Sequence, residues 1–116
     1  MDSTARNEVL LVGRLAAEPV DKELPSGDLL TSFRLVVARP QAAVEQRGTA
    51  VDTIDCVART AGLRRASGAW RSGDVLELQG ALRRRFFRTP AGVGSRYEVE
   101  VVKGKRLARA ASAAKT

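Results

Sequence analysis

Residues 7–15 carry apolar side chains on both alternations of an extended chain: Val9, Leu11, Gly13 and Leu15 on one, Leu10 and Val12 on the other, between Glu8 and Arg14. A strand that is apolar on both faces near its middle needs cover on two sides. One side belongs to the core. Leu10 and Val12 on the other predict contact with a second subunit, although burial under a helix of the same chain would leave the same pattern. Downstream, Leu24-Pro25-Ser26-Gly27-Asp28 reads as a turn, with proline presetting φ and glycine free to make it positive. It joins a polar strand at 20–24 to a longer one at 29–39, where Phe33, Leu35 and Val37 share a face until Pro40 ends the ladder. The aperiodic, small and polar stretch 41–48 predicts a mobile hairpin loop.

A third long strand is predicted at 51–59, with Ile54, Cys56 and Ala58 on one face, which makes Cys56 a small core residue rather than a reactive thiol. Residues 60–70 predict a short helix weakened by Gly62 and Gly68, with Leu63, Ala66 and Trp70 on one side and Arg64 and Arg65 on the other. Trp70 anchors that helix in this reading. From 73 to 89 the even positions Leu76, Leu78, Gly80 and Leu82 face inward while Glu77, Gln79, Arg83, Arg85 and Phe87 occupy the odd ones. The inward face runs out after Leu82. Arg83-Arg84-Arg85-Phe86-Phe87-Arg88 continues extended, then turns through Pro90-Ala91-Gly92-Val93-Gly94 into a return strand at 96–102, a hairpin projecting past the core. Tyr97 alternates with Val99 and Val101, which leaves it open between core and surface. With no parallel βα alternation and one helix ahead of the fourth barrel strand, the expected fold is all-β: a five-stranded OB-fold barrel with one short helix between strands 3 and 4.

Composition narrows the function. A chain of 116 residues suits one domain, expected at 1–107, with a short, basic, disordered tail at 108–116. A single cysteine excludes an intrachain disulfide, and no long apolar run or charged leader is visible, so a soluble cytoplasmic protein is expected. Histidine is absent, removing the commonest general base and metal ligand; neither enzymatic activity nor any cofactor or metal is expected. Asp52 and Asp55 read as strand charges. The net charge of +7 is unevenly spread: residues 1–58 hold six Lys/Arg against nine Asp/Glu, and 59–116 hold fourteen against four, leaving −3 and +10. Such asymmetry suits a surface that meets a polyanion. A membrane surface is disfavoured because no amphipathic basic helix accompanies the charge.

Single-stranded nucleic acid is held by cations along the phosphates and by flat rings on which bases stack. Arg83, Arg84, Arg85, Phe86, Phe87 and Arg88 offer both, and arginine adds a bidentate fork and a plane that itself stacks. Phe86 and Phe87 fall on opposite faces of the ribbon, so at most one stacks a base on a given side. Arg96 on the return strand, and Arg34 and Arg59 on the barrel face, complete the candidate set. The bland alternative is that the rings pack on a neighbouring subunit while the arginines keep an exposed edge soluble.

Several strings together resemble the bacterial single-stranded DNA-binding protein family: Asn7-Glu8-Val9-Leu10-Leu11-Val12-Gly13-Arg14-Leu15, Glu18-Pro19, Leu24-Pro25-Ser26-Gly27, Phe33-Arg34-Leu35, Gly73-Asp74-Val75-Leu76-Glu77-Leu78-Gln79-Gly80-Ala81-Leu82 and Arg96-Tyr97-Glu98-Val99-Glu100-Val101. Their joint order and spacing over about residues 7–107 carry the likeness. The resemblance implies an OB-fold assembling as a homotetramer through its first strands, with DNA wrapped around the assembly. It puts the family's hairpin stacking position at Phe87 and the flanking cations at Arg83 and Arg85. It further implies a nucleoid-associated role in DNA replication, repair and recombination.

Two departures stand out. Thr53, Gln41 and Arg59 occupy positions where the family carries rings, and the family's acidic tail tip is missing, so recruitment of repair enzymes through such a tip is not expected. The expected function is sequence-independent binding of single-stranded DNA through arginine–phosphate contacts and limited stacking. The alternative is an OB-fold protein-interaction module of a replication, recombination or conjugation complex with weak DNA affinity.

Overall fold

In the computed structural model residues 4–40 and 50–111 are described. The loop expected at 41–48 and residues 112–116 of the expected tail lie outside them. The alternating segments form β1 (Val9–Leu15), β2 (Val20–Glu23), β3 (Leu29–Ala38), β4 (Val51–Ala58), α1 (Ala61–Ser67), β5 (Val75–Thr89) and β6 (Gly92–Ala108). β1 pairs with β5, β5 with β6, β6 with β4, β4 with β3, and β3 returns to β1, so five strands close on themselves as an OB-fold barrel. β2 lies outside this ring, an edge strand on β3. Among the described strands only β4 and β6 pair in parallel. Closure comes from β1 changing partner: its residues Val9 to Arg14 face β5, and Arg14 and Leu15 face Val36 and Leu35 of β3.

The barrel interior is one cluster in which Leu35 and Leu76 are wholly buried and Leu15, Leu78 and Val101 nearly so. Each buried leucine contributes about 1.5–3 kcal/mol relative to exposure. Trp70 meets Phe33 edge-on, ring centroids 5.5 Å apart, and so anchors the helical segment over the barrel end. Cys56 sits in this core, and burial, reinforced by the Asp55 and Glu98 carboxylates, pushes its thiol up to about 12. It is inert near neutral pH.

The helix is shorter than the expected 60–70. Thr60 caps it, accepting the Leu63 N–H at 3.3 Å, and the Gly68 N–H folds back to the Arg65 carbonyl at 3.2 Å, ending it at Ser67. Its buried face is Leu63, Ser67 and then Trp70; Ala66 is exposed, contrary to the periodicity reading. Ser67 can occupy the buried position because its hydroxyl donates to the Arg64 carbonyl at 2.8 Å.

β5 and β6 also depart from expectation. The inward face of β5 ends at Leu78; the register shifts between Gln79 and Gly80, and Leu82 is largely exposed. The cause is that β1 reaches only Gly80, opposite Val9, and gives β5 no cover from Ala81 onward. β6 is longer than the expected 96–102, because pairing continues to Thr89 opposite Gly92 and leaves only Pro90 and Ala91 in the turn. Gly92, at φ +134°, supplies the backbone that reverses the chain there. Tyr97 is exposed despite alternating with Val99 and Val101, since β4 pairs with β6 only from Val99 onward. At the far end, buried Asp74 accepts the backbone N–H of Arg71 (2.9 Å) and of Ala110 (2.7 Å) and the Arg106 guanidinium (3.3 Å). These donors, the Arg71 N–H foremost, hold its carboxyl below the usual range, and they tie the chain beyond β6 to the barrel.

Candidate nucleic-acid interface

From the pair Arg83–Glu98 to the pair Thr89–Gly92, β5 and β6 pair only with each other among the described residues, so the hairpin runs on past the ladders of the barrel as a two-stranded ribbon with two faces. Alternation assigns the side chains to them. Arg83, Arg85 and Phe87 share one face with Gly94, Arg96, Glu98 and Glu100. Arg84, Phe86 and Arg88 share the other with Val93, Ser95 and Tyr97.

The first face runs onto the outer surface of β3 and β4, where a groove of about 290 Å³ opens. Leu30, Ser32 and Val57 floor it, and Lys22, Arg34, Arg85 and Arg96 bring cations to its edge. Asp55, Glu98 and Glu18 line it as well, and they temper the charge. Arg34 Nε meets Asp55 Oδ1 at 2.9 Å, and Arg85 Nη1 meets the buried Glu98 at 3.8 Å. Just outside, Arg83 Nε meets Glu100 Oε1 at 3.1 Å. Arg85 and Arg96 stand directly opposite each other across the ribbon, an arrangement of like charges that disfavours the unliganded state and favours an anion between them. Phe87 lies over Gly94, where a Cβ would come within 2.7 Å of Cε2 of the ring. The glycine therefore provides the space in which that ring rests.

On the other face the Arg84 guanidinium lies over both Phe86 and Tyr97, 5.5 and 5.4 Å from the ring centroids, and donates to Ser95 Oγ at 2.9 Å. Of the residues singled out from the sequence, the fold brings Arg34, Arg85 and Arg96 to the groove and Arg83 and Phe87 beside it. Arg84, Phe86 and Arg88 lie behind the ribbon. Arg59, exposed just past β4, is not among the residues lining the groove. Leu10 and Val12 are exposed on the outside of β1, opposite Gln79 and Glu77 of β5. Asp52 and Asp55 are strand charges, each paired with an arginine of β3 or its end. Sequence reasoning missed Lys22, Ser32 and Val57. The alternation of Leu30, Ser32 and Arg34 against Phe33 and Leu35 was the available signal for the outer face.

A closed barrel, a basic groove on its β3–β4 face and a ribbon of arginines and rings are the parts an OB-fold uses on oligonucleotides. A family model described as "Single-strand binding protein family" matches residues 6–107. The chain belongs to this family. Among solved structures it is similar to one described as "Plasmodium falciparum SSB complex with ssDNA", with a TM-score of 0.72 and 23% identity over 91% of this chain and 96% of that one. At that identity the likeness speaks for the fold. The sequence matches none of the curated proteins with which it was compared. Aromatic residues make up only 4% of this chain, and Phe87 is the one ring of the ribbon on the groove side.

Proposed function

We propose that this member of the single-strand binding family, whose function is to bind single-stranded DNA, does so without sequence preference by laying the phosphates along Arg34, Arg85, Arg96 and Arg83 and one base on Phe87. The observation that carries this reading is the shared face: Arg34, Arg85 and Arg96 border a single groove, and Arg83 and the ring of Phe87 stand on the same face of the ribbon as Arg85 and Arg96. With so few rings, ionic contact supplies most of the affinity. The chain assembles through the outside of β1 as a homo-oligomer, a tetramer in keeping with its resemblance to the bacterial family. Action at the cytoplasmic nucleoid in DNA replication, recombination and repair belongs to the same reading.

Titration of oligo(dT) at several salt concentrations tests it. Affinity should fall steeply with salt, with a log–log slope of about −0.7 per phosphate neutralised. Replacing Arg83 or Arg85 by alanine should flatten that slope by somewhat under one unit each, because each displaces about one counterion. Phe87→Ala should cost about 1–3 kcal/mol at every salt concentration and leave the slope unchanged. A flat salt response in the wild type, or normal binding by Phe87→Ala, would favour the interaction-module reading instead.

A further inference from the structure

The two faces of the ribbon differ in charge in a way their similar composition hides. On the groove side Arg83 and Arg85 are answered by Glu100 and Glu98. On the reverse side Arg84 and Arg88 meet no carboxylate among the described residues; the acidic residues of the ribbon, Glu98 and Glu100, both point the other way. What holds Arg84 is neutral: the Ser95 hydroxyl at 2.9 Å, the Tyr97 hydroxyl at 3.4 Å and the faces of two rings. Phe86 and Tyr97 are nevertheless 65% and 57% exposed, so most of each ring is open to solvent.

We propose that this reverse face is a second surface for single-stranded DNA, and that one strand passes around the hairpin tip to contact both sides of the ribbon. The proposal rests on the reading that the chain binds single-stranded DNA, and it deepens that reading.

Two exposed rings with an arginine lying over both are a stacking platform for bases. Both cations of this face lack a competing carboxylate, whereas on the groove side of the ribbon Arg96 alone does and Glu98 and Glu100 offset Arg85 and Arg83. The charge selects the occupant. Two arginines with no acid at hand, in a half of the chain that carries fourteen Lys/Arg against four Asp/Glu, match a polyanion, whereas a protein partner would have to bring acids of its own and desolvate them with the pair. Duplex DNA keeps its bases stacked within the helix and offers no ring face to Phe86 or Tyr97. Among the described residues no third strand pairs with the ribbon beyond Leu82 opposite Val99, and Phe86 and Tyr97 are exposed there. The stacked cation also orders the platform in advance. Bonds to Ser95 and Tyr97 hold the guanidinium in place, so less side-chain entropy is lost when a base settles on it.

The test uses the full chain, oligo(dT) carrying 5-iodouracil, and substitutions at exposed positions that leave the core intact. Irradiation of the wild-type complex should crosslink Phe86 or Tyr97 as well as Phe87. Phe86→Ala should lower oligo(dT) affinity by about 5- to 150-fold, the range that one lost stack spans. Arg84→Ala should also weaken binding, and it should flatten the salt slope, while Tyr97→Phe, which keeps the ring, should bind close to wild type. Crosslinks confined to Phe87, together with normal binding by Phe86→Ala and Arg84→Ala, would overturn the second surface while leaving the groove reading intact. Normal binding by Phe87→Ala and Arg83→Ala in the same experiment would show instead that the groove reading had failed. A fall in mass of DNA-free Phe86→Ala by light scattering, without the Phe86 or Tyr97 crosslinks, would assign the reverse face to contact between copies and likewise overturn the proposal.

Discussion

Gly94 is the smallest residue on the groove side of the ribbon, and the position of Phe87 depends on it. A methyl group there would lie 2.7 Å from Cε2 and 2.9 Å from Cζ of the ring, closer than real Cβ contacts allow. The backbone at Gly94 is not among the positive-φ glycines, so alanine is compatible with the chain conformation and the conflict falls mainly on the ring, with Thr89 Cγ2 also close at 3.3 Å. Phenylalanine can swing about χ1 and χ2, and it will leave the surface on which a base is to stack. Gly94→Ala should therefore weaken oligo(dT) binding by up to about 1–3 kcal/mol, the worth of one stack. Its stability should change by no more than about 0.5 kcal/mol, as for other surface substitutions. Fluorescence titration and thermal unfolding of the same preparation separate the two effects. Unchanged affinity would mean that Phe87 stacks in a different rotamer or not at all.

At the scale of the hairpin, the telling feature is that two of its three groove-side arginines, Arg83 and Arg85, are already occupied. Arg83 must leave Glu100 to reach a phosphate, so the carboxylate acts as a competitor built into β6. Exposed pairs of this kind are worth about 0.2–1 kcal/mol, and Glu100→Gln should raise oligo(dT) affinity by up to about fivefold at low salt. A lower or unchanged affinity would show that Arg83 stays with the barrel instead of turning to DNA. This element also marks where reading the sequence stops working. Alternation correctly split Phe86 from Phe87, because side-chain direction in a strand is a local property. The same alternation left Tyr97 undecided and carried the inward face of β5 on to Leu82. Both positions depend on where neighbouring strands end: β1 at Val9 and the pairing of β4 at Cys56 opposite Val99. Nothing within residues 82–97 records those distant limits.

For the whole molecule, the unanswered question of coverage lies on the outside of β1. Leu10 is 63% exposed and Val12 46%, on one face of β1 that no described element covers. The helix, which sequence alone allowed as a cover, packs over the barrel end through Leu63 and Trp70 instead. On the proposed assembly through this face, Leu10→Glu should dissociate the oligomer by placing an unpaired charge at the contact. Multi-angle light scattering decides it; a monomeric wild type, or a variant of unchanged mass, would leave this face without a protein partner. The described residues extend beyond β6 to 111, with Ala110 bound to Asp74, so the barrel holds the start of the segment that composition had assigned to a tail.

The chain itself determined its strands, its turn residues, the pairing of ring and arginine in one six-residue stretch and the concentration of positive charge in its second half. These are matters of alternation, backbone preference and composition, all of which act over a few residues. Tertiary structure decided which of those residues meet. Arg34, Arg85 and Arg96 border one groove only because β3, β4 and the hairpin are adjacent in the closed barrel. Glu98 and Glu100 face the groove side and leave Arg84 without an acid only because Arg84 stands opposite Tyr97 in the pairing of β5 with β6. A shift of one residue in that register would move every side chain to the other face, and local sequence does not set it. Closure of the barrel does.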